Sequence, residues 1–209
     1  MDGVFIKKFL RRILICIVVW VFFQGFNILS DRYLLDQNLI RFHVVANSDS
    51  AEDQKIKQQV KDAVLQSIQK DLQAVSDIDA AKRYLKDNLP KIDYIAHETL
   101  EQLGAADHAT VKLCKEKFNT RIYDTFTLPA GFYESLCITI GSGEGKNWWC
   151  VVFPALCIPT TVETFADSAI NAGFSNSLVN TLSEPSAYRI RFFLLDTLGS
   201  LTCKFNEES

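Results

Sequence analysis

The side chains best suited to acid–base or metal chemistry near neutral pH are the three histidines, His43, His97 and His108. They are far apart in the chain and match neither the HxxxH nor the HExxH spacing of helical zinc sites. A metal site would have to be assembled from distant segments of the chain. We therefore predict a protein without a metal and without a cofactor.

One catalytic arrangement uses residues that are close in sequence. His43, Ser48 and Asp49 contain the groups of a Ser-His-Asp triad. No Gly-x-Ser-x-Gly motif surrounds the serine, and both Ser48 and Asp49 lie where a following helix needs capping residues. We predict that the protein is not an enzyme. An exported hydrolase that uses His43 with Ser48 or Asp49 is the alternative.

The glycine-rich segment Gly141–Asn147, GSGEGKN, is not a phosphate-binding loop. A Walker A motif would need glycine at position 140 and serine or threonine at position 147, where this chain has Ile140 and Asn147. Charge also argues against nucleic acid, because the net charge is −3 and the residues after position 30 alone carry a net charge of −6. We predict that the chain binds neither nucleotide nor nucleic acid.

The N-terminal segment has an uninterrupted apolar run, Ile13–Phe23, preceded by four basic residues: Lys7, Lys8, Arg11 and Arg12. This order is typical of a signal peptide or of a short signal anchor, and no Ala-x-Ala cleavage site follows it. The basic residues favour a cytoplasmic N-terminus. We predict that residues 1–30 are a signal peptide or signal anchor in the membrane and that the rest is exported.

An exported protein can keep disulfides. Of the six cysteines, five lie outside the apolar segment, so at least one thiol stays unpaired within the monomer. Cys150 and Cys157 are the closest pair and are separated by a segment that Pro154 turns. A bridge between Cys114 and Cys137 on neighbouring strands is an alternative, as is a set of buried free thiols.

Strand and helix patterns alternate through the exported part. Alternation predicts a strand at residues 39–46 with His43 on its polar side, and Ser50 with Asp53 caps the helix that follows. Two further helices are expected between residues 77 and 103, the second beginning near Pro90. Strands are then expected at 109–114, 121–128, 132–140 and 148–153, followed by a weak helix within 161–182 and a last strand at 188–195.

This order of elements predicts an α+β fold with a mostly antiparallel sheet of about five to six strands. Helices are expected on one face of the sheet, and the apolar helix precedes it. We expect a single exported domain over residues 38–200 and a loose C-terminal tail over 201–209. The loop Gly141–Asn147 should close an antiparallel hairpin, with Trp149 on the core side of its second strand and Trp148 on the polar side.

Two blocks of this sequence resemble the stage II sporulation protein R family of endospore-forming bacteria. The first is IRFHVVANSDS at residues 40–50, which continues through Asp53 and Gln54 to Val64. The second joins LPAGFYE at 128–134 to GEGKNWWC at 143–150 and runs on through Phe153-Pro154 to Cys157. With the helices between them, the blocks cover roughly residues 39–158.

The resemblance implies a non-enzymatic signal that is made in the forespore and exported into the space between the two membranes. There such proteins trigger a membrane-embedded protease, which then processes a sigma-factor precursor. A membrane-anchored structural protein of the cell envelope is a further alternative. The partner that the resemblance implies for this protein is the membrane-embedded protease.

We expect the protease to be contacted by the turn after the first strand or by the glycine-rich loop and its tryptophans. Exposed aromatic side chains would serve as binding anchors there. The candidate contact residues are His43, Asn47, Ser48, Asp49, Gly143, Glu144, Gly145, Asn147, Trp148 and Trp149.

Overall fold

The computed structural model describes residues 2–75, 77–154, 162–186, 188 and 192. Helices and strands alternate irregularly along this part of the chain, as expected of an α+β protein. In chain order the elements are α1 (Asp2–Asn38), β1 (Ile40–Val45), α2 (Ala51–Gln73), α3 (Ile78–Gln102), β2 (Ala109–Phe118), β3 (Arg121–Ile122), β4 (Thr127–Leu128), β5 (Gly131–Ile140), β6 (Asn147–Phe153), α4 (Val162–Asn171) and α5 (Asn176–Ser183).

The main sheet is mixed and has four strands in the order β2-β5-β1-β6, while β3 and β4 form a separate two-stranded ribbon. Strand β1 runs parallel to β5 and antiparallel to β6, and β2 runs antiparallel to β5. The predicted sheet of five to six strands is therefore too large, and the sheet is mixed, since two of its three pairings are antiparallel and one is parallel. The predicted β5–β6 hairpin is also wrong, because β1 lies between the two strands.

Strand β1 is buried because both of its edges are paired and both of its faces are covered. Ile40, Arg41, Phe42 and Val44 are fully buried, and His43 is 4% exposed. The predicted polar side of this strand, with Arg41 and His43, is thus an interior surface of the protein.

Helices α2 and α3 cover one face of the sheet. Ser50 caps α2 as predicted, since its side chain accepts a hydrogen bond from the Asp53 N–H at 3.0 Å. Helix α3 continues through Pro90, which corrects the predicted break. Proline has no N–H, so the helix loses one backbone hydrogen bond there. Because Pro90 is exposed, the apolar stripe on the other side of the helix remains packed. The buried residues of that stripe are Ala81, Leu85, Ile92, Ala96 and Leu100.

The opposite face of the sheet carries a second apolar cluster, so helices pack on both faces and not on one as predicted. Residues of α1, α4 and α5 meet Tyr133 of β5 and Val151 of β6 in this cluster. Its helical members include Leu35, Phe165, Ala169, Leu178, Val179 and Leu182. The predicted last strand falls largely outside the described residues, and Tyr188 and Phe192 within it are helical.

Helix α1 joins the apolar N-terminal segment to the domain without a break. Its stretch Lys8–Asn38 is long enough and apolar enough to cross a membrane, a property that signal sequences share. Most described side chains of this stretch are exposed, but Leu35 is fully buried in the second cluster, and Asp36 lies 3.1 Å from the Lys115 Nζ of β2. The last turns of α1 therefore belong to the folded domain.

Leu35→Ala should lower the free energy of unfolding by about 2–5 kcal/mol, because it removes a fully buried side chain and leaves a cavity. Urea unfolding of the detergent-solubilised full chain, followed by tryptophan fluorescence, measures this loss. The control is Leu29→Ala in the same helix, where the side chain is 58% exposed. Equal midpoints for the two variants would show that the end of α1 does not support the domain.

Candidate functional site

Two loops meet at one edge of the sheet. Because β1 and β5 are parallel, their C-terminal ends lie at the same edge, and β6 starts there. The turn after β1 therefore lies beside the loop after β5. We call residues 46–50 and 141–147 together the paired loops.

Asn47 holds the paired loops together. Its side-chain Oδ1 accepts a hydrogen bond from the Ser142 N–H at 2.9 Å, and its backbone carbonyl accepts from the Ser142 Oγ at 2.9 Å. The Glu144 N–H donates to the same carbonyl at 3.2 Å, and the Gly145 N–H donates to the Ala46 carbonyl at 2.9 Å. Asn47 and its neighbour Ala46 therefore bond three residues that are nearly a hundred positions away in sequence.

Asp53, in the first turn of α2, holds the loop of residues 46–50 through hydrogen bonds. The Ser48 hydroxyl donates a short hydrogen bond to its carboxylate, and the Asn47 Nδ2 donates to the same oxygen at 3.3 Å. The hydrogen bond from Ser48, followed in size by those from Asn47 and Ser50, lowers the pKa of Asp53 below its ordinary value. The carboxylate is thus kept in the charged form that accepts these bonds.

Lys57 is a residue that the sequence pattern did not single out, since it resembles the other polar positions of α2. It is only 3% exposed, and its Nζ donates to the Lys146 carbonyl at 2.8 Å and to the Gln54 Oε1 at 2.5 Å. The side chain of Asp49 also links the two loops, because it accepts a hydrogen bond from the Lys146 N–H at 2.7 Å. Burial lowers the pKa of Lys57.

Glycine is required at three positions of the second loop. Gly141 and Gly143 have φ of +57° and +69°, where other residues are strained. A Cβ on Gly145 would lie 2.3 Å from the Ser48 carbonyl oxygen, so the two backbones could not approach as they do. The glycine-rich composition therefore serves the packing of one loop on the other.

The alternative hydrolase arrangement of His43 with Ser48 or Asp49 is not assembled. Ser48 donates to Asp53, and Asp49 accepts from Lys146. His43 is buried on the second face of the sheet, with its Nε2 3.2 Å from the Glu116 Oε2. The three side chains therefore have separate partners and do not form a relay.

The two tryptophans of β6 pack on opposite faces of the sheet, and both are partly buried. Trp148 lies against Phe42 in the core between the sheet and helices α2 and α3, with ring centroids 5.6 Å apart. The Nζ of Lys61 lies 4.9 Å from the Trp148 ring centroid. Trp149 stacks on His43 at 4.7 Å. The predicted division into a core side with Trp149 and a polar side with Trp148 is wrong, because a second apolar layer covers the other face.

The outer surface of the paired loops is polar and carries both signs of charge. The side chains of Asp49 and Lys146 are 56% and 79% exposed, and Glu144 and Asn147 are exposed beside them. Glu144 and Lys146 hold the loops through their backbones while their side chains are exposed. Such a surface is suited to recognising another macromolecule by charge and hydrogen bonds.

Cys150, next to this surface on β6, is buried and disulfide-bonded, while Cys114 and Cys137 are free. The alternative bridge between Cys114 and Cys137 is therefore wrong. Cys157, the predicted partner of Cys150, lies outside the described residues. The pairing of Cys150 with Cys157 stays a prediction.

Comparison with known proteins agrees with the two blocks noted in the sequence. The family model described as stage II sporulation protein R matches residues 36–163, which include β1, α2, α3 and the paired loops. The chain is also 35% identical over 158 residues to stage II sporulation protein R of Bacillus subtilis (strain 168), with 70% of each chain covered. No solved structure matches the chain.

Gly145→Ala should destabilise the domain by about 1–3 kcal/mol, since the added methyl group forces the two loop backbones apart. The urea midpoint of the full chain measures the effect. Gly25→Ala in α1 is the matched control, because a Cβ there meets no atom within 4 Å. An unchanged midpoint for Gly145→Ala would contradict the close packing of the loops.

Asp53→Asn should lower the urea midpoint at pH 7, and the difference from the unchanged chain should shrink at acid pH. The lowered folded-state pKa means that the charged form stabilises the fold above the ordinary value of 3.8 and that this contribution is lost as the pH falls through the lower pKa. Unfolding curves at about pH 7 and about pH 3 test this. The exposed Asp87→Asn on α3 is the control, and a difference that does not vary with pH would contradict the prediction.

Proposed function

The chain belongs to the stage II sporulation protein R family, and we propose that it is an extracytoplasmic signalling protein of sporulation. In this proposal it is exported from the forespore into the space between the two membranes. There it binds a membrane-embedded protease and triggers it to process a sigma-factor precursor. The protein acts through contact and not through catalysis of its own.

The N-terminal segment supports the export step. Four basic residues precede an apolar stretch of α1, and most described side chains of that stretch are exposed. Such a helix is stable in a lipid bilayer, and the charge order favours translocation of the domain that lies C-terminal to it. In the proposal, α1 directs or anchors the protein at the forespore membrane, with the domain in the space between the two membranes.

One observation supports the proposed contact with the protease. The two sequence blocks that resemble the family meet in the paired loops. The blocks are more than sixty residues apart in sequence, and their loops are joined by Asn47, Asp49 and Lys57. The inner bonds hold the shape, and the side chains of Glu144 and Lys146 are exposed on the outer surface. We propose this outer surface as the contact with the protease.

Rigidity makes the surface suited to this role. Hydrogen bonds from both loops fix the backbone before a partner arrives, so little conformational entropy is lost on binding. Trp148 and Trp149 stiffen the start of β6 from both faces of the sheet. In this proposal the tryptophans support the contact surface from behind, while the polar side chains in front give specificity.

The contact is tested by Glu144→Lys in cells that co-express the chain, the membrane-embedded protease and its sigma-factor precursor. Precursor cleavage should fall at least about tenfold, which corresponds to about 1.4 kcal/mol of lost contact energy. Reversal of this exposed charge leaves the Glu144 N–H bond to Asn47 in place, so the fold should be unaffected. Immunoblots of precursor and product measure the cleavage.

The control is Asp87→Lys, which reverses an exposed acidic charge in the first half of α3. It should leave cleavage unchanged. Equal cleavage with Glu144→Lys and with the control would remove the paired loops from the interface. Absence of cleavage even with the unchanged chain would overturn the proposed activation itself.

A further inference from the structure

A second group of reactive side chains lies on the face of the sheet opposite α2 and α3. His43 of β1, Glu116 of β2 and Cys137 of β5 each offer one ligand atom, and these atoms lie within 4.8 Å of one another. The three residues come from adjacent strands in the order β2-β5-β1. The sheet pairing therefore builds a compact group from positions that are distant in sequence.

Cys114 adds a fourth donor to this group. Its Sγ donates to the Glu116 Oε1 at 2.7 Å, and it is two residues from Glu116 along β2, on the same face. Both Cys114 and Cys137 are free thiols. The group thus contains two sulfur atoms, one imidazole nitrogen and one carboxylate oxygen.

This set of donors matches Zn²⁺ and similar borderline-soft cations. Such ions take four ligands in a tetrahedron, with bonds of about 2.0–2.3 Å to nitrogen, oxygen and sulfur. Ligand atoms in that tetrahedron are about 3.3–3.8 Å apart, by geometry from those bond lengths. The observed separations, none above 4.8 Å among the first three, need only small side-chain rotations to reach it.

The surroundings fit a metal as well as the ligands do. Trp149 stacks on the His43 ring with an interplanar angle of 9°, which fixes the ring orientation. Cys137 and His43 are 3% and 4% exposed, whereas Glu116 and Cys114 are only partly buried. Because β2 is an edge strand, an ion can enter from that side of the sheet.

Arg41 supplies a countercharge beside the group. It is fully buried two residues before His43 and donates one hydrogen bond, from Nη2 to the Tyr123 hydroxyl at 2.9 Å. Its Nε and Nη1 have no hydrogen-bond acceptor among the described residues. Two thiolates, one carboxylate and a divalent ion have a net charge of −1, which the Arg41 guanidinium offsets.

We propose that His43, Glu116, Cys137 and Cys114 form a binding site for a thiophilic divalent cation, with Zn²⁺ as the best fit. Binding releases one proton from each thiol, so two S–H bonds are replaced by two metal–sulfur bonds and no electron is transferred. The site lies on the sheet, and the proposal does not depend on the proposed protease contact. It links three strands of the sheet around the buried His43.

The test is a Co²⁺ titration of the detergent-solubilised full chain under argon, without a reductant that would open the disulfide of Cys150. Bound Co²⁺ should give a thiolate-to-cobalt charge-transfer absorption at one ion per chain, and added Zn²⁺ should displace it. Cys137→Ser and, separately, Cys114→Ser should weaken Co²⁺ binding at least about tenfold. Circular dichroism shows whether each variant is folded, and the half-buried Cys114 position is the less demanding of the two.

The control variants remove other ligands of the chain. Cys16→Ser removes an exposed thiol of α1. His97→Ala removes one of two histidines, His97 and His108, whose ring centroids are 6.3 Å apart. Both should bind Co²⁺ as the unchanged chain does. The proposal is overturned if the unchanged chain shows no charge-transfer absorption, or if folded Cys137→Ser and Cys114→Ser bind Co²⁺ with unchanged affinity.

Discussion

The insertion of β1 between β5 and β6 is the constraint on which the rest of the structure depends. Hydrogen bonds along both sides of this six-residue strand join the start of the domain to β5 and β6, which follow much later in the chain. Because β1 is parallel to one neighbour and antiparallel to the other, its end brings the paired loops to one edge of the sheet. The same placement buries Arg41 and His43 between two apolar layers.

The elements with local signals were predictable, and the strand order was not. The Ser50 cap depends on a few neighbouring residues, so the sequence pattern predicts it correctly. The place of β1 depends on which distant strand competes best for its edges, and the loop before β6 locally resembles a hairpin. Likewise, alternation marks Arg41 and His43 as polar but cannot show that a second layer covers them.

The proposed contact surface on the paired loops was only partly predictable, because a local motif does not show where its side chains point. Asn47, Ser48 and Asp49 were predicted as contact residues, yet their bonds run inward to Asp53, Ser142 and Lys146. A short polar motif can mark either a surface for a partner or a set of internal hydrogen bonds. Here the two roles are divided within the same loops, since the backbone and the inner side chains hold the shape that presents the outer side chains.

Helix α1 has a further consequence for geometry. It is 37 residues long and unbroken, which corresponds to about 55 Å, and Leu35 near its end is fixed inside the domain. A bilayer core of about 30 Å accounts for little more than half of that length. An uncleaved α1 would therefore act as a stiff stalk and not as a flexible tether. The height and tilt of the domain above the lipid would be set by the helix, and only partners at that height would be within reach.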